Sequence, residues 1–113
     1  METEERPWGF YKVLVDNPNY KVKEILVSSG QRLSYQLHYQ RSEHWYVVAG
    51  EALVTLNDQD LLVKKGESVD IPVQSKHRVA NKLKDDLIFI EIQTGKYFGE
   101  DDIIRLEDDY NRV

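Results

Sequence analysis

The 113-residue chain contains no cysteine. Disulfide bridges, thiolate ligands and cysteine nucleophiles are therefore excluded. Histidine is also scarce, with three in the whole chain, so imidazole chemistry has few places to reside. Positive charge is in the minority: Lys and Arg total 15 against 20 Asp and Glu, a net charge of -5. With no basic stripe either, a nucleic-acid surface is not expected. No apolar run reaches the length of a membrane-spanning helix, and Met1-Glu2-Thr3-Glu4-Glu5 is acidic rather than signal-like. A cytoplasmic location without membrane association is the expectation.

What remains is ordinary for one soluble domain over residues 1–113, with 41% hydrophobic and 31% charged residues. Short β-rich runs dominate. The predicted strands are Phe10–Val15, Tyr20–Ser28, Arg32–His38, Trp45–Val48, Ala52–Leu56, Leu61–Lys64, Ser68–Ile71, His77–Ala80 and Leu87–Gln93. Asn17-Pro18-Asn19, Ser29-Gly30, Asn57-Asp58, Lys65-Gly66 and Lys84-Asp85 read as turns between them. No helix-period stretch exceeds about two turns. The pattern is that of an all-β sandwich or barrel. Residues 94–113 differ, being polar, glycine-punctuated and acidic, and are expected to form a C-terminal segment folded over the barrel end.

All three histidines fall in two short motifs. The first reads Gly30-x5-Gln36-x-His38-x4-Glu43-x6-Gly50, with His44 directly after the glutamate. The second reads Gly66-x5-Pro72-x-Gln74-x2-His77-x3-Asn81. Residues two apart on a strand share a face, so Gln36 and His38 project together, with Gln40 of the same parity. Glu43 is expected across a short connection, and His77 from another strand. Gln36, His38, Glu43 and His77 thus offer an amide carbonyl, two imidazoles and a carboxylate, a donor set for a divalent metal. Zinc is the first choice, and manganese, iron, cobalt and nickel suit the same donors.

The two motifs resemble the paired signature of the cupin superfamily. The stretch Ser34-Tyr35-Gln36-Leu37-His38-Tyr39-Gln40-Arg41-Ser42-Glu43-His44-Trp45 is similar to the Gln-x-His-His-His-Arg-x-Glu-His-Trp signature of type II phosphomannose isomerases. Further matching blocks are Arg6-Pro7-Trp8-Gly9, Tyr20-Lys21-Val22-Lys23, Ile71-Pro72, Lys76-His77-Arg78, Ile92 through Ile103, and Asp109-Tyr110-Asn111-Arg112. Tyr39 and Gln40 depart from the pattern, standing where the family has histidines.

The resemblance implies a double-stranded β-helix, a jelly-roll-like barrel with a metal near its axis. It also implies an isomerase interconverting mannose 6-phosphate and fructose 6-phosphate. A homodimer is expected, since exposed sheet edges pair. Proton transfer between adjacent carbons needs a base, for which Glu43, His44 and the acidic cluster Glu100-Asp101-Asp102 are the candidates. The substrate's phosphate needs cations, and arginine's planar fork suits it. Arg41, the family's arginine, is the first choice and the expected catalytic cation, followed by Lys21, Lys23, Arg78 and Arg112, with Tyr97 either closing the pocket or packing the tail. Two other readings are a non-catalytic sugar-phosphate-binding cupin, motivated by Tyr39 and Gln40, and a metal-dependent oxygenase, since two histidines and a carboxylate also suit iron.

Overall fold

The computed structural model describes residues 3–110 as an all-β fold without helices. Eleven strands succeed one another as β1 (Thr3–Arg6), β2 (Gly9–Asn17), β3 (Tyr20–Val27), β4 (Tyr35–Leu37), β5 (Arg41–Ala49), β6 (Glu51–Leu56), β7 (Gln59–Lys64), β8 (Ser68–Ile71), β9 (His77–Ala80), β10 (Leu87–Gly95) and β11 (Ile104–Glu107). They build a six-stranded sheet ordered β1-β2-β3-β10-β5-β8 and a five-stranded sheet ordered β11-β4-β9-β6-β7. Every pairing is antiparallel. This is a double-stranded β-helix.

The turns obey local chemistry. Asn57 and Asp58 take positive φ, of 49° and 69°, in the two-residue connection from β6 to β7. That is the left-handed turn whose twist suits a tight hairpin. Gly50, at φ 82°, joins β5 to β6 where a Cβ would stand 3.0 Å from the Asp86 carbonyl oxygen. Glycine alone meets both demands there.

Three differences from the sequence reading bear on the site. β5 begins at Arg41 rather than Trp45, so Glu43 lies within a strand and not in a connection. The run predicted from Arg32 pairs as a strand only over Tyr35–Leu37, with Arg32 making a single bridge to Ala80. The C-terminal stretch contains β11, which pairs with β4 as an edge of the five-stranded sheet. Arg112 lies outside the described residues.

Registered neighbours in the six-stranded sheet form rows across its inner face. Ile25, Phe89 and Val47 make one row, Lys23, Glu91 and Trp45 the next, and Gln93, Glu43 and Ile71 a third. Apolar rows merge with Val54, Val79 and Leu87 into a core closed by Trp8 and Tyr11. Moving along the same strands, the inward side chains change from apolar to ionisable. The barrel is therefore dry at one end and polar at the other. Phe89 packs on Trp45 with ring centroids 5.1 Å apart and is almost fully buried. Phe89→Ala is expected to destabilise the fold by about 3–5 kcal/mol, measured by urea unfolding.

Candidate functional site

At the polar end, β5 directs Arg41, Glu43 and Trp45 inward in strict alternation. Gly95 on β10 is the registered partner of Arg41. A Cβ at Gly95 would collide with the Gln40 carbonyl and come within 2.8 Å of the Arg41 Cα. The missing side chain lets the two strands close at the point where Arg41 turns inward.

His38, Glu43 and His77 are buried and present ligand atoms that all lie within 4.8 Å of one another. β9 supplies His77, which is the registered partner of Gln36 on β4. His38 comes directly after β4. Both histidines are held in one tautomer by backbone carbonyls, which can only accept. His38 Nδ1–H donates to the Asp102 carbonyl at 2.6 Å, and His77 Nδ1–H donates to the Ser75 carbonyl at 2.9 Å. Each Nε2 is therefore a lone pair. His77 Nε2 is buried without a hydrogen-bond partner, while His38 Nε2 stands 3.4 Å from Glu43 Oε2.

Burial, then the Arg41 charge, lowers the His38 pKa to about 4. Burial likewise pushes His77 down. Two neutral imidazoles with Nδ1 fixed by a carbonyl, and a carboxylate beside them, match what a divalent metal requires of its ligands. The residues present fit the group. Gln36 lines the adjoining cavity, where its Oε1 accepts from the Ser34 hydroxyl at 2.7 Å.

Arg41 is the centre of the electrostatics. Its Nε–H donates to Glu43 Oε2 at 2.9 Å, and Nη2 approaches His38 Nε2 at 3.2 Å. Nη1 reaches Glu100 Oε2 at 3.2 Å. Burial opposes the guanidinium charge, but Glu43, Glu91 and Glu100 outweigh it and raise the pKa. The other Glu43 oxygen accepts from Trp45 Nε1–H at 2.9 Å, and the same N–H reaches Glu91 Oε1 at 3.2 Å. Glu91 is pushed up to about 8, first by burial and then by the neighbouring Glu43. Gln93 Nε2 donates to its second oxygen at 2.8 Å. The cavity beside this cluster is lined by Arg6, Lys23, His38, Arg41, Glu91 and Arg105 among others.

The remaining sequence-predicted positions divide between the cavity and the surface. Lys23 enters the cavity from β3, over the Tyr11 ring at 4.3 Å. His44 does not join the cluster, because strand alternation turns it to the outer face. There its Nδ1 meets Asp70 Oδ1 at 2.6 Å. Tyr97 bonds Asp101 through its hydroxyl and lines a separate surface depression with Asp16, Lys21 and Lys96. Tyr39 is 52% exposed and Gln40 is exposed too, so the positions that depart from the family pattern lie on a surface turn. That corrects the parity expected for Gln40.

Sequence reasoning missed two contributors, Glu91 and Gln93, and named Asp102 only as one of the acidic candidates for the base. Glu91 and Gln93 share a strand face with Leu87 and Phe89, but the alternate face carries Ile88, Ile90 and Ile92 and reads as the more apolar one. Asp102 is indistinguishable in sequence from its acidic neighbours. In the fold it is buried, its carboxylate accepts the Tyr39 and Gln40 amides at 3.1 and 2.9 Å, and its carbonyl orients His38.

Comparison with known proteins bears on the family and the fold. The family model described as mannose-6-phosphate isomerase C-terminal matches residues 2–108. The chain is 50% identical over 108 residues to the alginate biosynthesis protein AlgA of Pseudomonas aeruginosa, covering 96% of this chain and 22% of that protein. It is 45% identical to the mannose-1-phosphate guanylyltransferase ManC of Salmonella typhimurium, with 96% and 22% covered. The chain thus spans under a quarter of the length of these curated relatives. Among solved structures, the capsular polysaccharide assembling protein CapF from Staphylococcus aureus superposes with a TM-score of 0.83 at 23% identity, over 94% of this chain and 32% of that one. KdgF from Halomonas sp. gives 0.80 at 18% identity, over 89% and 90%. These two structural likenesses concern the fold.

The cluster generates two expectations. His77→Ala should abolish stoichiometric metal uptake, read by elemental analysis after dialysis against zinc; full metal content in that variant would refute the ligand assignment. The second concerns pH. In the fold Glu91 keeps its proton up to about pH 8, whereas an unfolded glutamate loses it near 4.5, so its contribution to stability is lost as pH rises through that window. His38 acts in the opposite sense, its contribution present above pH 6.5 and lost as pH falls toward about 4. Between about pH 6.5 and 8 only the Glu91 effect operates. The thermal midpoint of chelator-treated Glu91→Gln should therefore fall less than that of wild type over this interval. Parallel curves would show that Glu91 ionises in the fold like an ordinary carboxylate.

Proposed function

Because the chain belongs to the mannose-6-phosphate isomerase C-terminal family, we propose that it is a metal-dependent isomerase interconverting mannose 6-phosphate and fructose 6-phosphate. The observation that supports this best is the convergence of His38, His77 and Glu43 beside a cavity lined by cations. The donor set fits the metal and the cations fit a phosphorylated sugar. Relatives named for mannose 1-phosphate chemistry make a mannose phosphate the natural ligand class.

In this reading His38, Glu43 and His77 hold the metal, with Gln36 at the margin of the set. When bound, the metal supplies Lewis-acid polarisation of the sugar's carbonyl and hydroxyl oxygens. The protein supplies the rest. Asp102 and Ser75 keep both histidine Nε2 atoms unprotonated and aimed inward. Glu91, on the cavity wall beside Glu43, holds and moves the proton exchanged between the two reacting carbons. Arg41 and Lys23 take the phosphate. The core wall of Trp8, Tyr11 and Ile25 limits water on the cavity's inner side. The exposure of Tyr39 and Gln40 supports catalysis over a purely binding role, since their side chains subtract nothing from the cavity.

The direct test is a coupled assay on protein reconstituted separately with zinc, manganese, iron, cobalt and nickel. Metal-dependent appearance of fructose 6-phosphate from mannose 6-phosphate is expected. Absence of turnover with every metal, at confirmed occupancy, would refute the isomerase. Arg41→Ala should weaken mannose 6-phosphate binding by about tenfold or more while metal content stays at the wild-type level.

A further inference from the structure

Resting on that reading of the cavity as a sugar-phosphate site, we infer that Glu100 is a tethered carboxylate filling the phosphate subsite, and that a phosphate monoester binds by displacing it. Lys23 and Glu100 are an unequal pair. The Lys23 side chain is 3% exposed and the Glu100 side chain 49%, with Nζ and Oε1 3.1 Å apart. The other Glu100 oxygen meets Arg41 Nη1 at 3.2 Å. One carboxylate thus spans two cations, an oxygen to each, in the bridging manner of a phosphate group.

The asymmetry decides which partner is the fixture. Lys23 and Arg41 are built into β3 and β5, deep in the sheet. Arg41 is anchored further by Glu43 and His38, so its guanidinium does not follow Glu100 outward. Glu100 belongs to the connection between β10 and β11, at the cavity rim. Burial alone would push its carboxyl up, but Lys23 and Arg41 outweigh that and hold it below the ordinary range.

Two buried cations facing one cavity repel each other and need an anion. Glu100 meets that need within the chain. A phosphate monoester carries about one and a half to two negative charges at neutral pH, against one for the carboxylate. It therefore gains more from the same two cations, and Arg6 and Arg105, which line the same cavity, add to the difference. The protein keeps its cations satisfied by its own side chain, and a phosphorylated ligand outcompetes that side chain where an uncharged sugar does not. Affinity is reduced in return, because every binding event must first dislodge Glu100.

The test is titration calorimetry on metal-loaded protein with inorganic phosphate, mannose 6-phosphate and mannose. Wild type, Glu100→Gln and Asp101→Asn are compared. Asp101→Asn removes an equal charge one residue away, on a side chain bonded to Tyr97 rather than to the cations. Glu100→Gln is expected to bind phosphate and mannose 6-phosphate roughly tenfold more tightly, with mannose unaffected and Asp101→Asn like wild type. Unchanged or weaker phosphate binding in Glu100→Gln, with wild type binding mannose 6-phosphate, overturns the displacement and leaves the sugar-phosphate site intact. Equal tightening in Asp101→Asn assigns the effect to net charge and also overturns it. Failure of both wild type and Glu100→Gln to bind mannose 6-phosphate removes the functional reading and this inference together.

Discussion

The structure depends on how one buried carboxylate is held. Glu43 sits in the inner face of β5 between Arg41 and Trp45, and both neighbours donate to it. A buried ionised carboxylate is costly unless paired and hydrogen-bonded. Here both partners come from its own strand, two residues before and two after. That local solution leaves the long-range contacts free to converge on the site. His77 arrives from the opposite sheet, Glu91 from the next strand, Glu100 and Asp102 from the C-terminal connection. Each contributes one group to a network already anchored at its centre.

The two halves of the barrel interior differ in what they bury. Ile25, Val47, Val54, Val79 and Phe89 supply apolar burial and carry no polar obligations. Lys23, Glu91, Glu43 and Arg41 continue the same strand faces with ionisable side chains. Charges that satisfy one another are tolerable because the apolar half has already fixed the spacing of the strands. Such an arrangement lowers the local dielectric around the polar cluster and strengthens every interaction within it.

Much of this is legible in the sequence, and the exceptions have physical reasons. Asn57-Asp58 and Gly50 mark hairpins because positive φ restricts which residues serve there. The candidate triad His38, Glu43 and His77 is readable because histidine is rare in this chain and its spacing survives any detail of the turns. β1 is not readable, since Thr3-Glu4-Glu5-Arg6 has no apolar face and pairs as an edge strand. The early start of β5 depends on the Asp102 carboxylate, which caps the Tyr39 and Gln40 amides from 63 and 62 residues away. No local pattern reports that. On β10 the sequence points the wrong way: the isoleucine parity faces outward, and the parity with Glu91 and Gln93 faces the interior. Adjacency to Glu43 makes His44 look like part of the site, when adjacency on a strand means opposite faces.

The rows across the inner face carry a consequence for folding. Core and site share β3, β5 and β10, and a strand slipped by one residue reverses which parity looks inward. Such a slip in β5 would bring Ser42, His44 and Tyr46 inside and expel Arg41, Glu43, Trp45 and Val47 together. A chain with a misplaced site is then also a chain with a ruined core. Assembly of the reactive groups is proofread by hydrophobic packing, so molecules that survive folding carry the cluster already aligned.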